Sequence, residues 1–548
     1  MGGGQAQDGV GAVPGIGGRD RRAVGGPGGG DDAGADPALA FGDLAAAWGI
    51  LTRLGVIETI DAVVGCRRAD AGATVGTYLA LAALNRLVDP RSKRAFVDWW
   101  KTTAADRFIK VPTGVLDHRR FWDAMHAVTL DELVEIERRL ALRMIEVFGL
   151  DISALALDMT NFATYIDSTN PKAPIAQRGK AKQKRSDLRL VGLGVVVTRD
   201  GGVPLVSHAY PGNRPDVTQF AAMIDLLVTR YTAVAPAGPE DATAAGSAAP
   251  QMTVVFDAGQ NSHANFAHLA AAGLAFVGSV PPSDCPDLLA RPATGRSIVD
   301  TNRFEGLTAL QTRRVVLTHS PTLHTAQSPG LRPDPGQGIR ETVRVGRHPR
   351  PRQDPPPQSQ GRSRDHPDHQ RPLGQTRRSR RPNRHQPADP PTHRLTWTID
   401  EQARTDLEDE VFGKRVLITA REDWPLAEVV AAYRSQSEAE FGFRQMKDPH
   451  VVSFSPMHHW TDHNIRVPTF TCVLALQIAH LMRRHADQHG LHLSVRELLD
   501  TLAGIEETVL IYPSTGGRPK ARRMLTETTP TQDRLAEIFD LTRWAPRT

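Results

Sequence analysis

The sequence predicts an α/β core behind an all-helical N-terminal domain, and three observations predict it. Residues 40–148 repeat apolar positions at three- and four-residue spacing, as in Val75–Val88 and Asp131–Phe148. From residue 153 onward, short β-rich runs alternate with amphipathic helical runs, the order of a mixed sheet with helices laid on it. Two aspartates, Asp158 and Asp257, stand at the ends of such β-rich runs, where an apolar strand holds a carboxylate rigidly at a sheet edge.

The elements follow in order. Residues 1–35 are Gly-rich, with thirteen glycines in the first thirty, and read as a disordered tail rather than a signal peptide, because no apolar core segment follows. The helical domain spans 40–150. Ser153–Met159 reads as a short strand. Leu188–Thr198 and Val203–Ala209 flank the turn Arg199-Asp200-Gly201-Gly202 and read as a hairpin. Gln219–Thr232 is an amphipathic helix, Met252–Phe256 a buried strand, Ala264–Ala272 a helix and Ala275–Val280 a further strand, which completes a first core segment over 151–282. Residues 235–250 are a low-complexity surface loop. A β-containing insertion is expected over 283–422, with strands at Leu395–Ile399 and Arg415–Thr419. The last segment, 423–548, starts with a single long helix, Trp424–Lys447, opened by Asp423 and Pro425. It continues with helices at Val467–Ala486 and Val495–Ala503 and a basic loop at 516–523.

Composition narrows the function class. The chain has 548 residues, enough for two to four structural units, and a formal net charge of +5. Its pI of about 9.2 suits a nucleic-acid partner without demanding one. Cys66, Cys285 and Cys472 are too dispersed for a zinc site or a disulfide framework, which suits a reducing cytoplasm. Val467–Met482 is interrupted by Thr471, Gln477 and His480 and reads as a buried helix, so no membrane partner is expected.

Residues 329–391 break the pattern. They hold 14 Arg and 14 Pro in 63 positions, with no Lys and no aromatic residue. Such a segment cannot bury enough apolar surface to offset its ordering entropy. It reads either as a basic disordered arm for DNA phosphates or as a GC-rich stretch translated out of frame. The abrupt return of patterning at His393-Arg394-Leu395-Thr396-Trp397 favours the second.

The third acidic position is on the long helix. At about 100° per residue, Tyr433, Glu440 and Lys447 lie within about 40° of one another, whereas Glu438 points about 140° away from Tyr433. Helical phase therefore selects Glu440 over Glu438. The helix AEVVAAYRSQSEAEFGFRQMKD resembles the signature of DDE transposases of the insertion-sequence-4 superfamily: Tyr, two residues, Arg, three residues, Glu, six residues, Lys. Tyr433, Glu440 and Lys447 match it. Gln436 stands at the Arg position, a departure, with Arg434 as the neighbouring cation. LDMTNF around Asp158 and VVFDAGQNS around Asp257 resemble the family's two aspartate motifs.

The resemblance covers 40–325 and 393–545. It implies an RNase H-like catalytic core and a metal-dependent enzyme that cleaves DNA strands and joins them to a target. Asp158, Asp257 and Glu440 would hold two Mg²⁺ or Mn²⁺ ions about 3.5–4 Å apart. Tyr433, Arg434, Gln436 and Lys447 would contact DNA near the metals, and Trp397 reads first as a core residue and otherwise as one that stacks on a flipped base. The Arg178–Arg185 stretch, with Lys180, Lys182, Lys184 and Arg185, offers five cations and no acid to phosphates. The implied partners are double-stranded DNA, at terminal inverted repeats and at the target, and a second copy of the chain in a synaptic homodimer. The implied location is the bacterial cytoplasm, at the nucleoid. Two other readings stay open: a decayed transposase that binds DNA without cutting it, and another RNase H-like nuclease.

Overall fold

The computed structural model describes residues 38–65, 72–180, 187–232, 252–281, 284, 286–289, 297–299, 314–327, 401–454, 457–512 and 520–546. The Gly-rich tail, the 235–250 loop, residues 329–391, the strand expected at 395–399 with Trp397, and Lys182, Lys184 and Arg185 lie outside them.

After a two-residue strand β1 (Leu39–Ala40), the N-terminal stretch is helical, as the periodicity predicts, and belongs to the same compact unit as the sheet: α1 (Gly42–Leu54), α2 (Val56–Val64), α3 (Val75–Val88), α4 (Phe96–Lys101), α5 (His118–His126) and α6 (Leu130–Phe148). Local chemistry marks the helix ends. Thr129 and Glu132 form a reciprocal capping box at the start of α6, and Gly149 ends it in the left-handed region at φ 57°.

The core elements are β2 (Ala154–Thr164), β3 (Arg189–Thr198), β4 (Pro204–Pro211), α7 (Phe220–Thr232), β5 (Thr253–Phe256), α8 (His263–Ala271) and β6 (Ala275–Val280). Next come α9 (Pro286–Leu289), β7 (Ser297–Val299), β8 (Arg314–His319), α10 (Pro321–Gln327), α11 (Glu401–Val411) and β9 (Lys414–Thr419). The chain continues with α12 (Leu426–Arg434), α13 (Gln436–Lys447), α14 (Asp462–Gln488), α15 (Val495–Ala503), β10 (Glu506–Tyr512), β11 (Lys520–Leu525) and α16 (Pro530–Ile538).

Eight strands form one mixed sheet in the order β4-β3-β2-β5-β6-β9-β8-β7. β3 is antiparallel to both neighbours, β2 and β4, while β5 runs parallel to β2 and β6 parallel to β5. The hairpin between β3 and β4 turns on Gly201 and Gly202, at φ 116° and 65°, which only glycine adopts cheaply. A smaller sheet joins the two ends of the chain, in the order β1-β10-β11. Within it, on β10, Glu507 is fully buried; Arg523 donates to one carboxylate oxygen at 2.8 Å and Arg107 lies 3.1 Å from the other as an ion pair.

Four expectations change. β2 does not end at Met159 but runs to Thr164, so Asp158 is mid-strand: the stretch TNFAT keeps alternating and pairs residue for residue with Arg189–Leu193 of β3. The long helix starts at Leu426 rather than Trp424 and is two helices, broken at Ser435. The Ser435 hydroxyl donates to the Ala432 carbonyl at 2.6 Å, and its backbone N–H is shared between Ala431 and Ala432. Such a serine competes with the helical ladder. Residues 520–523, expected in a loop, belong to β11. Finally, β7, β8 and β9 fall within the expected insertion yet extend the main sheet. The separate compact unit is Ser320–Gly413, shorter than 283–422. Within it, Gly413 N–H donates to the Gln327 side chain at 2.8 Å.

α14 is long and apolar enough to cross a membrane by length and composition alone, but 94% of its apolar window is buried inside the structure, as expected of a core helix.

Candidate active site

The parallel ladder between β2 and β5 places two carboxylates side by side. Its last pair is Ala156 with Val255, and two residues further on Asp158 is level with Asp257. Adjacent strands are about 4.8 Å apart, so the two aspartates stand on neighbouring backbone positions at the point where β5 ends and β2 continues. Asp158 is half-buried and accepts the N–H of Met159 at 2.7 Å. Asp257 is exposed and begins a short 3₁₀ turn.

Asp257 is held from two sides. The Ser279 hydroxyl donates to it at 2.9 Å and itself accepts the Ala258 N–H at 3.1 Å. The Tyr433 hydroxyl lies 3.2 Å from the same carboxylate oxygen. Burial, reinforced by the Asp257 charge, pushes the Tyr433 phenol above its usual range, so Tyr433 stays a neutral donor. Arg415 of β9 donates to the Tyr433 oxygen at 3.2 Å, with its guanidinium 5.7 Å from the ring centroid. Tyr433 is thus a post between a carboxylate and a cation.

The aspect of α13 that faces β2 supplies the opposing wall. At its start, the Gln436 amide donates to the Leu157 carbonyl at 3.4 Å. At its end, the Lys447 ammonium donates to Thr160 Oγ1 at 2.7 Å and sits 5.3 Å from the Phe162 ring centroid. Asp158, Thr160 and Phe162 alternate onto one side of β2, so Lys447 and Asp158 share that side. Gln436, Glu440 and Lys447 lie within about 40° on the helix. Glu440 is therefore placed between two anchors that flank Asp158, and it is exposed.

Glu438 has the opposite fate. It pairs with Arg483 of α14 at 2.5 Å, and a side chain at Gly202 would collide with it at 2.8 Å. Buried His480, also on α14, donates from Nδ1 to the Gly202 carbonyl at 2.6 Å and lies 2.8 Å from the Gln445 side chain. Its pKa is lowered to about 3, chiefly by burial, with the Arg483 charge adding to it. That aspect of α13 is structural.

Among the described residues, no three His, Cys, Asp or Glu side chains gather closely enough to hold a metal ion. Asp158, Asp257 and Glu440 offer hard carboxylate oxygens, two on adjacent strands and one on α13, the donor type that divalent cations take. Arg434 is exposed on the last turn of α12, away from the buried Gln436, and the structure brings it to none of these groups. Lys180 is exposed beside β2, where its carbonyl accepts from Asn161 at 3.1 Å, and Arg178 is exposed near it.

Ser279 and Arg415 were not among the residues singled out from the sequence. Ser279 was within reach, because the parallel register pairs Phe256 with Gly278 and so sets Ser279 level with Asp257. Arg415 carried no signal in KRVLIT beyond strand alternation.

No family model matches the chain, and neither does any curated protein. Among solved structures it is similar to a piggyBac transposase in a synaptic complex with hairpin DNA, determined by cryo-electron microscopy. The identity is 9% and the TM-score 0.35, over 86% of this chain and 82% of that one. A score that low carries no argument about fold or function.

Proposed function

We propose that the chain is a metal-dependent DNA transposase of the insertion-sequence-4 type, with Asp158, Asp257 and Glu440 as its carboxylate triad on an RNase H-like core. The observation that carries this reading is the juxtaposition of Asp158 and Asp257 on adjacent parallel strands beneath the helix that bears Glu440. The strand order β4-β3-β2-β5-β6, antiparallel on one side of β2 and parallel on the other, supports the RNase H-like assignment.

Asp158, Asp257 and Glu440 would hold two Mg²⁺ or Mn²⁺ ions, which would supply Lewis-acid activation of a water or a DNA 3′-hydroxyl and charge neutralisation for the leaving oxygen. The residues around them do the rest. Ser279 and Tyr433 fix the Asp257 carboxylate, so little reorganisation is needed when the backbone phosphate arrives. Lys447, on the Asp158 side of β2, steadies a phosphate entering from the far end of that strand. Arg415 sits where a second phosphate oxygen would meet a positive charge. Arg178 and Lys180 extend the basic surface for the flanking duplex, and Lys182, Lys184 and Arg185 follow them in sequence. The bacterial nucleoid, the inverted-repeat substrate and a synaptic homodimer belong to this proposal as well.

A second reading, a decayed relative that binds DNA without cutting it, is favoured by the Arg- and Pro-rich composition of 329–391. Incubating labelled DNA from the flanks of the gene with the full chain and Mg²⁺ separates the two. The proposal expects nicking by the wild type and none by Asp158→Ala, with both binding DNA. Equal nicking by the two chains would sink the site assignment. Binding without nicking by either would favour the decayed reading.

A further inference from the structure

We infer that Tyr165, His458 and Trp460 form a base-stacking ledge for unpaired nucleotides of the bound DNA strand, an inference that rests on the proposed DNA-processing function. Trp460 is 59% exposed and Tyr165 46% exposed, among the few large apolar side chains that the described residues leave in solvent. They come together from distant parts of the chain. Tyr165 follows the last residue of β2, and its N–H donates to the Met457 carbonyl at 2.8 Å. The Tyr165 and His458 rings lie 5.4 Å apart, centroid to centroid. Trp460 is two residues further along the same segment, and its carbonyl accepts from the Asn170 side chain at 2.8 Å.

The ledge is built rather than loose. Buried Arg189 donates to the carbonyls of Asp167, Asn170, Ala173 and Ala176, which staples the 165–177 loop beneath the rings. Asp462 N–H donates to the Lys172 carbonyl at 3.1 Å and the Asp462 carboxylate accepts from Ile175, which ties the Trp460 segment to the same loop. Rings fixed in advance lose little entropy on stacking.

Position and chemistry select the occupant. Tyr165 lies seven residues beyond Asp158 along β2, about 23 Å away, the span of about seven stacked nucleotides and fewer of an extended strand. Between them Thr160 and Phe162 are buried beneath Lys447, and exposed Lys172 lies in the loop that follows Tyr165. The nearby acids are already engaged: Asp167 with Thr169, Asp448 with Arg496, and Asp462 with Ile175. Exposed aromatic faces with an exposed lysine in the adjoining loop, one strand's length from the proposed carboxylate site, suit bases that have left the duplex.

The test uses the full chain in EDTA, so that binding is read without cleavage. The probes are a fluorescent duplex carrying a single-stranded thymidine extension and the same duplex with blunt ends. Trp460→Ala and Tyr165→Ala should each weaken binding of the extended probe about tenfold, the size of one lost base stack, and change blunt-duplex binding less than about twofold. Trp460→Phe should keep most of the affinity, and melting temperatures should hold, since both rings are exposed. Equal losses on the two probes, or no loss on either, would overturn the ledge while leaving the DNA reading intact. A wild-type chain that binds neither probe would overturn both.

Discussion

Glu438 and Glu440 are two residues apart on one helix and live in different worlds. Toward α14, Glu438 meets Arg483, Gln445 meets His480, and the tight Gly202 turn closes over them. Toward β2, Gln436 and Lys447 anchor the two ends of α13, and Glu440 between them is exposed. One aspect of α13 is satisfied by the protein itself. The other leaves the Glu440 carboxylate exposed, on the aspect of α13 anchored to the strand of Asp158. The proposed function is what gives that carboxylate a role.

The contrast can be broken by measurement. The largest expected effect is catalytic: Glu440→Gln should lower Mg²⁺-dependent nicking by about a thousandfold, about 4 kcal/mol of barrier, while an exposed position leaves stability within about 0.5 kcal/mol. A rate assay with a parallel thermal melt checks both halves, and a large drop in melting temperature would reassign Glu440 to the structural aspect.

The next effect is on stability against pH. His480 is neutral in the folded chain, with its pKa depressed to about 3, against about 6.5 when unfolded. Below pH 6.5 the unfolded chain takes up a proton that the folded chain refuses, so His480 makes stability fall as pH drops toward 3. Its share of the slope approaches about 1.4 kcal/mol per pH unit. Denaturant titrations between pH 7 and pH 4, numbers set by that titration range of about three units, should show a shallower fall in His480→Gln. An unchanged slope would mean that His480 is not the buried neutral group described.

Smaller still, Glu438→Gln should destabilise the fold by about 1 kcal/mol, because its ion pair with Arg483 is partly exposed and screened by solvent. Nicking by that variant should stay close to the wild type once the protein is folded. Of similar size, Tyr433→Phe removes one donor to Asp257 and should slow nicking about fivefold, with little change in DNA affinity. A loss of affinity instead would place Tyr433 on the DNA rather than on the carboxylate.

That Glu438 and Glu440 face different ways was legible in the sequence, because it follows from their spacing on one helix, although the phase taken from Tyr433 crosses the break at Ser435. The helical domain, the β3–β4 hairpin, the parallel strands and the buried α14 were legible for the same reason: each has a clean period. What escaped depended on long-range register or on a single side chain. β2 looked short because Thr160 and Asn161 read as a polar stop, yet Thr160 is buried under Lys447. The break at Ser435 comes from one hydroxyl turned back on the helix. Arg415 reaches the site only because β9 crosses back to pair with β6, a return across more than a hundred residues that no local pattern announces.

The central claim is that Asp158, Asp257 and Glu440 bind the same cations. Replacing Mg²⁺ with Fe²⁺ in the presence of ascorbate and peroxide cuts the backbone next to bound iron. The account predicts fragments ending near residues 158, 257 and 440, all suppressed together by excess Mg²⁺ and all lost in Asp257→Asn. Cuts that spare the region of 440, or that persist in excess Mg²⁺, would contradict it.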